Sequence, residues 1–227
     1  MASVSRIIGG SRGGRRLTMP SGSMTRPTSD RVREAVFASI TSWCGTVADD
    51  PSESLAGQAF CDLYAGSGAV GLEAASRGAS PVLLVEKDRR TAGIARRNAK
   101  GLDLTVTVES TKVEQLVARP ARLPGRPARG GHDTAGSDGV GSDGVGSDGG
   151  EPTSVGFDLV WLDPPYDLAS NSVDAVLADL VDNGWVVESG LVIVERSVRT
   201  APPVWPAGFT GGWTKAYGET VVHFGCA

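Results

Sequence analysis

The stretch "DLVWLDPPYD", Asp158 to Asp167, runs mostly apolar as far as Leu162 and then sets an acid, two prolines and a tyrosine where the run ends. Proline cannot donate to a sheet ladder, so a strand through Leu162 has to stop there, leaving Asp163-Pro164-Pro165-Tyr166 as a stiff turn at its carboxyl end. In parallel α/β sheets that edge is where ligands bind. The chemistry on offer is a carboxylate held on a rigid support beside an aromatic ring.

A second cluster lies upstream. "CDLYAGSGAVGLE" holds Gly66-x-Gly68-x-x-Gly71, placed after an apolar run and before a helical pattern, the context that gives such glycines meaning. Glycine lets a ligand approach the backbone and lets the following helix pack closely on the sheet. Gly66, Ser67 and Gly68 are the candidate contacts of this loop. Twenty residues past Gly66 stands Glu86, ending the run "PVLLVE", where a carboxylate can accept from both ribose hydroxyls of an adenosine-type cofactor. Asp62, four residues before Gly66, is unfavourable beside a pyrophosphate. A cationic cofactor such as S-adenosylmethionine tolerates it, because the acid can face the ammonium or sulfonium region. The residues therefore favour that cofactor over a dinucleotide.

These groups need a sheet to bring them together, and the chain supplies one. "QAFCDLYA", "PVLLVE", "LTVTVE", "FDLVWL" and "GLVIVERS" read as strands, with helices in "AVGLEAASRG", "DRRTAGIARRNAKG", a short piece after the third strand, and "ASNSVDAVLADLVDN". Such alternation implies right-handed βαβ units and a parallel sheet. "GGWTKAYG" and "ETVVHFG", joined closely around Gly218, add an antiparallel hairpin at one edge, for seven strands in all. Upstream, "RPTSDRVREAVFASITSW" reads as a helix capped by Ser29, with Asp30 at its positive end and Val32, Val36, Ile40 and Trp43 on one apolar face. Residues 44–57 read as a polar linker. Residues 119–155 contain the pentad repeat "GSDGVGSDGVGSDGG", which has too little to bury to offset ordering entropy and reads as a disordered surface insertion. It lacks the nonapeptide form of calcium-binding β-rolls, so no metal is assigned to it.

The 227 residues carry a net charge of −4, unevenly spread. Residues 1–33 sum to +6, through Arg6, Arg12, Arg15, Arg16, Arg26, Arg31 and Arg33 against Asp30, and the remainder to −10. A basic arm on an acidic body points to a polyanion met at one end, against the plainer reading of a solvated tail. Three scattered cysteines, Cys44, Cys61 and Cys226, argue against a disulfide framework or zinc site and fit a reducing cytoplasm. Two histidines leave little room for His-centred catalysis. No apolar run approaches a membrane span, and the N-terminus lacks the apolar stretch of a signal peptide.

Together "DLYAGSGAVGLE", "LLVEKD" and "DLVWLDPPYD" resemble the class I S-adenosylmethionine-dependent methyltransferases that modify exocyclic amines. "RIIGG" with basic residues after it, then "RPTSDRVREAVF", and "DNGWV" before the fifth strand, resemble the RsmD family, the bacterial 16S rRNA guanine-N2 methyltransferases. The resemblance implies a Rossmann-like methyltransferase domain over residues 58–227, preceded by an RNA-binding extension over residues 1–43. It implies S-adenosylmethionine as cofactor, held by Asp62, Gly66, Ser67, Gly68, Glu86 and Asp163. In many relatives an Asp or Asn after the third strand binds the adenine amino group. Here that place reads Glu109-Ser110-Thr111-Lys112, and the resemblance assigns it to Ser110 and Thr111.

By the same resemblance, the Asp163 side chain and the Pro164 carbonyl accept the two hydrogens of guanine N2. That draws a delocalised lone pair toward tetrahedral geometry, and the prolines, Pro164 and Pro165, preorganise both acceptors. Tyr166 stacks on the base, the target is turned out of its stack, and the released proton passes to Asp163 or to water. Arg6, Arg12, Arg15, Arg16, Arg26 and Arg31 are the expected RNA contacts. The implied partner is 16S rRNA within a small-subunit assembly intermediate, met by a cytoplasmic monomer. The tetrapeptide alone is shared with DNA adenine-N6 methyltransferases, so a DNA or tRNA amino-methyltransferase is the enzymatic alternative. An RNA-binding assembly factor without turnover is the non-enzymatic one. A nicotinamide-dependent oxidoreductase is disfavoured by Asp62 and by the DPPY turn.

Overall fold

Glycine and proline punctuation divides the chain as the patterning predicts. In the computed structural model, residues 5–20, 29–121, 123, 156–165 and 167–227 are described. Strands β1 (Ser5–Arg6) and β2 (Arg16–Leu17) pair antiparallel around a 3-10 turn at Gly10–Arg12. Helix α1 (Asp30–Cys44) starts at Ser29, whose side chain accepts from the Val32 N–H at 3.2 Å, and stops at the left-handed Gly45.

The main alternation comes next, with β3 (Phe60–Leu63), α2 (Ala69–Ser76), β4 (Val82–Val85), α3 (Arg89–Leu102), β5 (Thr107–Glu109) and α4 (Val113–Val117). The chain is described again from Gly156, with β6 (Phe157–Leu162), α5 (Ser170–Asp182), β7 (Val186–Ser197), β8 (Gly211–Tyr217) and β9 (Thr220–Cys226). The seven-stranded sheet has the order β5-β4-β3-β6-β7-β9-β8. Its first five strands are parallel, and β9 and β8 join antiparallel. This is the Rossmann-like class I methyltransferase architecture expected from the sequence.

The three central parallel strands are buried along their whole length, so alternate residues feed two cores. Phe60, Leu84, Trp161 and Ile193 face a layer containing α1, α2 and α3. Cys61, Val85, Leu162 and Val192 face α4 and α5. β7 begins four residues before the expected "GLVIVERS" because Val186 pairs with Phe157 ahead of an irregularity at Ser189, whose φ is 64°. Of residues 44–57, expected as a polar linker, Cys44 ends α1 and the rest form turns that carry Leu55 fully into the core and bond its N–H to the Arg77 carbonyl at 2.8 Å.

The N-terminal hairpin is docked onto the body. Ile7 and Leu17 enter the α1–α3 core. The N–H groups of Ile8 and Gly9 donate to the buried Glu73 carboxylate on α2 at 2.6 and 2.8 Å. Arg33, which the charge count places with the basic arm, is buried: it donates to the Arg6 carbonyl, pairs with Asp30 at 3.1 Å and lies 3.9 Å from Glu73.

Candidate active site at the carboxyl edge of the sheet

Parallel strands β3, β4 and β6 end side by side, so the segments leaving their carboxyl ends face one space. A cavity of about 780 Å³ opens there. Its walls include Asp62, Gly66 and Ser67 from the β3 side, Glu86 and Lys87 after β4, and Asp163, Pro164 and Pro165 after β6. Sequence positions as far apart as Asp62 and Asp163 are thus brought to one site.

The glycine loop is held from several sides. Gly68 caps α2 with φ 85°, a left-handed conformation that favours glycine, and it does not line the cavity. A Cβ on Gly71 would lie 2.1 Å from Leu84 Cδ2 and 3.1 Å from the Asp62 Cβ, so α2 packs against β3 and β4 only because that position is bare. The Gly66 N–H donates to Glu86 at 3.0 Å, and the Asp88 N–H donates to its other oxygen at 2.8 Å. The Glu86 carboxylate is thereby fixed across the mouth of the loop.

Asp62 is buried and accepts from the Gly71 N–H at 2.8 Å. Burial pushes its carboxyl up to about 7, with the Gly71 bond opposing the rise and the Glu86 charge adding to it. Around the cavity stand five carboxylates, Asp62, Glu86, Glu114, Asp163 and Asp167, against two ammonium groups, Lys87 and Lys112. A pyrophosphate is poorly served by that lining, and a cation is well served.

At the end of β6 the Asp163 N–H points to the Leu63 carbonyl at 3.5 Å and Pro164 is buried. The turn closes with the Leu168 N–H on the Pro165 carbonyl at 2.9 Å. Buried Arg196, from β7, donates to the Leu168 carbonyl at 3.0 Å and faces Asp163, Asp174 and Tyr64. Tyr166 lies outside the described residues.

Besides Gly68, two further expected cofactor contacts do not line the cavity. Ser110 and Thr111 lie at the end of β5, and the wall on that side comes from Lys112 to Gln115, the residues that open α4. Ser110 Oγ is buried without a hydrogen-bond partner. Other groups at the site carried no signal in the sequence. Asn98 of α3 is buried, donates to the Ser67 and Thr18 carbonyls at 3.0 Å each and accepts from the Thr18 N–H at 2.9 Å, tying the glycine loop to the N-terminal segment. That segment brings Met19 and Pro20 to the cavity, with the Ser67 hydroxyl 3.3 Å from the Met19 sulfur. Tyr64 holds φ 64° and donates its hydroxyl to Glu114 at 2.9 Å, which burial and the neighbouring carboxylate make hard to ionise.

The expected RNA contacts are dispersed. Arg6 pairs with Asp30 at 3.5 Å, Arg16 and Arg31 are exposed, and Arg26 lies outside the described residues. Arg12 donates to the carbonyls of Leu102 and Asp103, and Arg15 to that of Gly101 at 3.1 Å. These two arginines cover the C-terminal end of α3.

The family model described as Conserved hypothetical protein 95 matches residues 5–124 and 149–226. Ribosomal RNA small subunit methyltransferase D of Escherichia coli strain K12 is 32% identical over 215 residues, 94% of this chain and 85% of that one. The chain belongs to the RsmD family. Another relative, Putative rRNA methyltransferase YlbH of Bacillus subtilis, is 29% identical over 87% of this chain and 85% of its own. The solved structure of the putative methyltransferase yhhF from Escherichia coli superposes with a TM-score of 0.71 at 25% identity, covering 99% of this chain and 98% of that one. The T. thermophilus 16S rRNA N2 G1207 methyltransferase (RsmC), solved in complex with AdoMet and guanosine, shares the fold at a TM-score of 0.62 and 16% identity, covering 100% of this chain and 50% of that one. The RsmD-family chain is accordingly an S-adenosylmethionine-dependent methyltransferase.

Proposed function

We propose that the protein methylates the exocyclic N2 amine of one guanine in 16S rRNA, acting as a cytoplasmic monomer on a small-subunit assembly intermediate. The observation that carries the reading is the meeting of the Asp163-Pro164 turn with the Glu86-anchored glycine loop in one acid-lined cavity. Membership of the RsmD family supports the substrate class.

The lining suits S-adenosylmethionine, which supplies an electrophilic methyl carbon on a sulfonium when bound. Glu86, already oriented by two backbone N–H groups, is assigned the ribose hydroxyls. Asp62 is assigned the positively charged end, and Gly66 and Ser67 the close backbone approach. No contact is assigned to Ser110 or Thr111. Asp163 accepts one amine hydrogen and the Pro164 carbonyl the second, which concentrates the nitrogen lone pair on the face opposite them. Because prolines fix that turn and Arg196 ties its far end, neither acceptor has to reorganise during transfer. The departing proton goes to Asp163 or to solvent. Tyr166 is assigned to the face of the base, where stacking contributes roughly 1–3 kcal/mol.

The test is methyl transfer from labelled cofactor to four acceptors: small-subunit particles from a strain lacking the gene, free rRNA, tRNA and duplex DNA. N2-methylguanosine at one position of the particle RNA is the expected product. Better transfer to tRNA or DNA would replace the substrate. Cofactor binding with no transfer to any of the four would make the protein a binding factor.

A further inference from the structure

The charge count places the chain's positive charge in the N-terminal segment, and the structure redistributes it. Arg33 is buried against Asp30 and Glu73, Arg6 pairs with Asp30, and Arg12 and Arg15 bond the last carbonyls of α3. Among the described residues, the largest exposed concentration of cations lies on α3 itself. "RRTAGIARRNAKGL" contains Arg89, Arg90, Arg96, Arg97 and Lys100 and no acid. At 100° per residue these five fall within an arc of about 120°. Ala92, Ala95, Asn98, Ala99 and Leu102 occupy the opposite, buried arc.

Solvation alone explains a charged outer face, but not three other features of this one. First, Gly93 stands in the middle of the arc, and glycine is among the poorest residues for a helix interior. A Cβ there would meet only the Arg97 guanidinium, at an ordinary 3.6 Å, and one on Gly101 would meet nothing within 4 Å. Packing therefore does not require either glycine, whereas close approach of a ligand to the helix backbone does. Second, the last carbonyls of α3, whose negative pole would repel an anion, are covered by Arg12 and Arg15, and Arg12 also pairs at 3.5 Å with Asp103, the exposed acid that caps this end. Third, the helix starts at the cavity, where Lys87 and Thr91 form part of the wall. Among the described residues no acidic side chain forms an ion pair with Arg89, Arg97 or Lys100.

We infer that the outer face of α3 is the track for the RNA backbone leading to the active site, with a phosphate seated against the helix at Gly93. The inference rests on the RNA-methyltransferase function proposed for that site. At 1.5 Å per residue the track is about 21 Å long, enough for several phosphates.

The test uses the full chain, particles from a strain lacking the gene, and two variants. In Arg89→Gln/Arg97→Gln/Lys100→Gln, three lost contacts lower the slope of log affinity against log salt by about 2.1–2.7. That corresponds to a loss of salt sensitivity of about 20- to 40-fold between roughly 50 and 200 mM. Gly93→Gln, which improves the helix, raises Tm and yet weakens particle binding several-fold. Both variants bind cofactor as the wild type does. A wild-type slope in the triple variant removes the track, and wild-type affinity in Gly93→Gln removes the seated phosphate. If the wild-type protein itself neither binds nor methylates the particle, the RNA reading fails and the track with it. Normal methylation by the wild type with an unaltered slope in the triple variant overturns the track alone.

Discussion

Two carboxylates, Asp62 and Asp163, face the same cavity under different constraints, and each makes a separate prediction at the residue scale. Asp163 sits on the proline turn, and its carboxylate is assigned to the amine of the base, whereas Glu86 and the glycine loop are assigned to the cofactor. Asp163→Ala should lower methyl transfer at least about 100-fold, the scale for losing one preorganised electrostatic partner, while cofactor affinity stays near wild type. Asp163→Asn should be milder, because an amide oxygen still accepts one bond. Transfer assays beside calorimetry read the two quantities, and a wild-type turnover in Asp163→Ala would discard the mechanism. Asp62 makes a statement about pH. Its folded value is pushed from 3.8 to about 7, chiefly by burial. Between those values the folded protein holds a proton that the unfolded chain has released. The associated stability is therefore complete below about pH 4 and is lost as pH rises through about 7. Asn at this position cannot ionise and still offers an acceptor to the Gly71 N–H. Asp62→Asn should accordingly gain on the wild type, in urea midpoint, as pH rises from about 4 to about 7, and level off above that. A difference between the two proteins that does not change with pH would return Asp62 to an ordinary carboxylate. Both positions were legible in the sequence, Asp62 by its place four residues before Gly66 and Asp163 by its place where an apolar run ends. Asn98 and Glu73 were not, since each binds backbone groups of the N-terminal segment, and periodicity carries no information about contacts 64 or more residues away.

At the scale of elements, helix α2 does two jobs. Its N-terminus is the glycine loop, and its middle, through Glu73, anchors the N-terminal hairpin. Glu73 accepts from Ile8 and Gly9, pairs with Arg77 at 2.9 Å, and lies beside buried Arg33. Burial lowers the Arg33 pKa, and the charges of Glu73 and Asp30 oppose that shift. Glu73→Ala would leave Arg33 without one of its two counter-charges and strand two backbone donors. The cost should be about 3–5 kcal/mol, the scale for removing one partner of a buried pair. Equilibrium urea unfolding measures it. Hydrogen exchange at Ile7 and Gly14, whose N–H groups bond within the hairpin, should rise more than exchange in β6. A loss under about 1 kcal/mol would mean that the hairpin is held by Ile7 and Leu17 alone. The sequence could show that Arg33 is a cation but not that an acid forty residues on neutralises it, so the charge count overstated the exposed positive charge of the arm. The strand–helix order and the closing hairpin were legible because continuous apolar runs and amphipathic stretches alternate cleanly. The segment after β5 was not. A three-residue strand and a five-residue helix leave too little pattern to fix which of Ser110 to Gln115 faces the cavity.

For the molecule as a whole, the question is where the repeat segment stands relative to the site. The pentads lie outside the described residues, but their points of departure and return do not. Ala121 donates to the Asn183 carbonyl at 2.9 Å, and the Trp185 indole N–H donates to the Arg119 carbonyl at 2.8 Å. On return, Gly156 is buried and Phe157 donates to the Trp185 carbonyl at 2.8 Å. Asn183 and Trp185 precede β7, and Phe157 begins β6, so both attachments sit at the amino edge of the parallel strands. The cavity opens at the carboxyl edge. The family model also leaves residues 125–148 unmatched, so what the RsmD family shares is complete without them. Deleting residues 136–150 therefore shortens a segment whose described attachments lie at the amino edge, away from the cavity. Loop-closure entropy changes by only about 0.5 kcal/mol when such a loop is roughly halved, in the direction of greater stability. Tm should rise by about 1–2 °C or stay level. Cofactor affinity and methyl transfer to the particle should match the full-length protein. Thermal unfolding and the transfer assay, run side by side on the two proteins, decide the point. A marked loss of transfer at unchanged Tm would show that the repeats reach the RNA. A marked fall in Tm would show that they cover part of the fold at the amino edge.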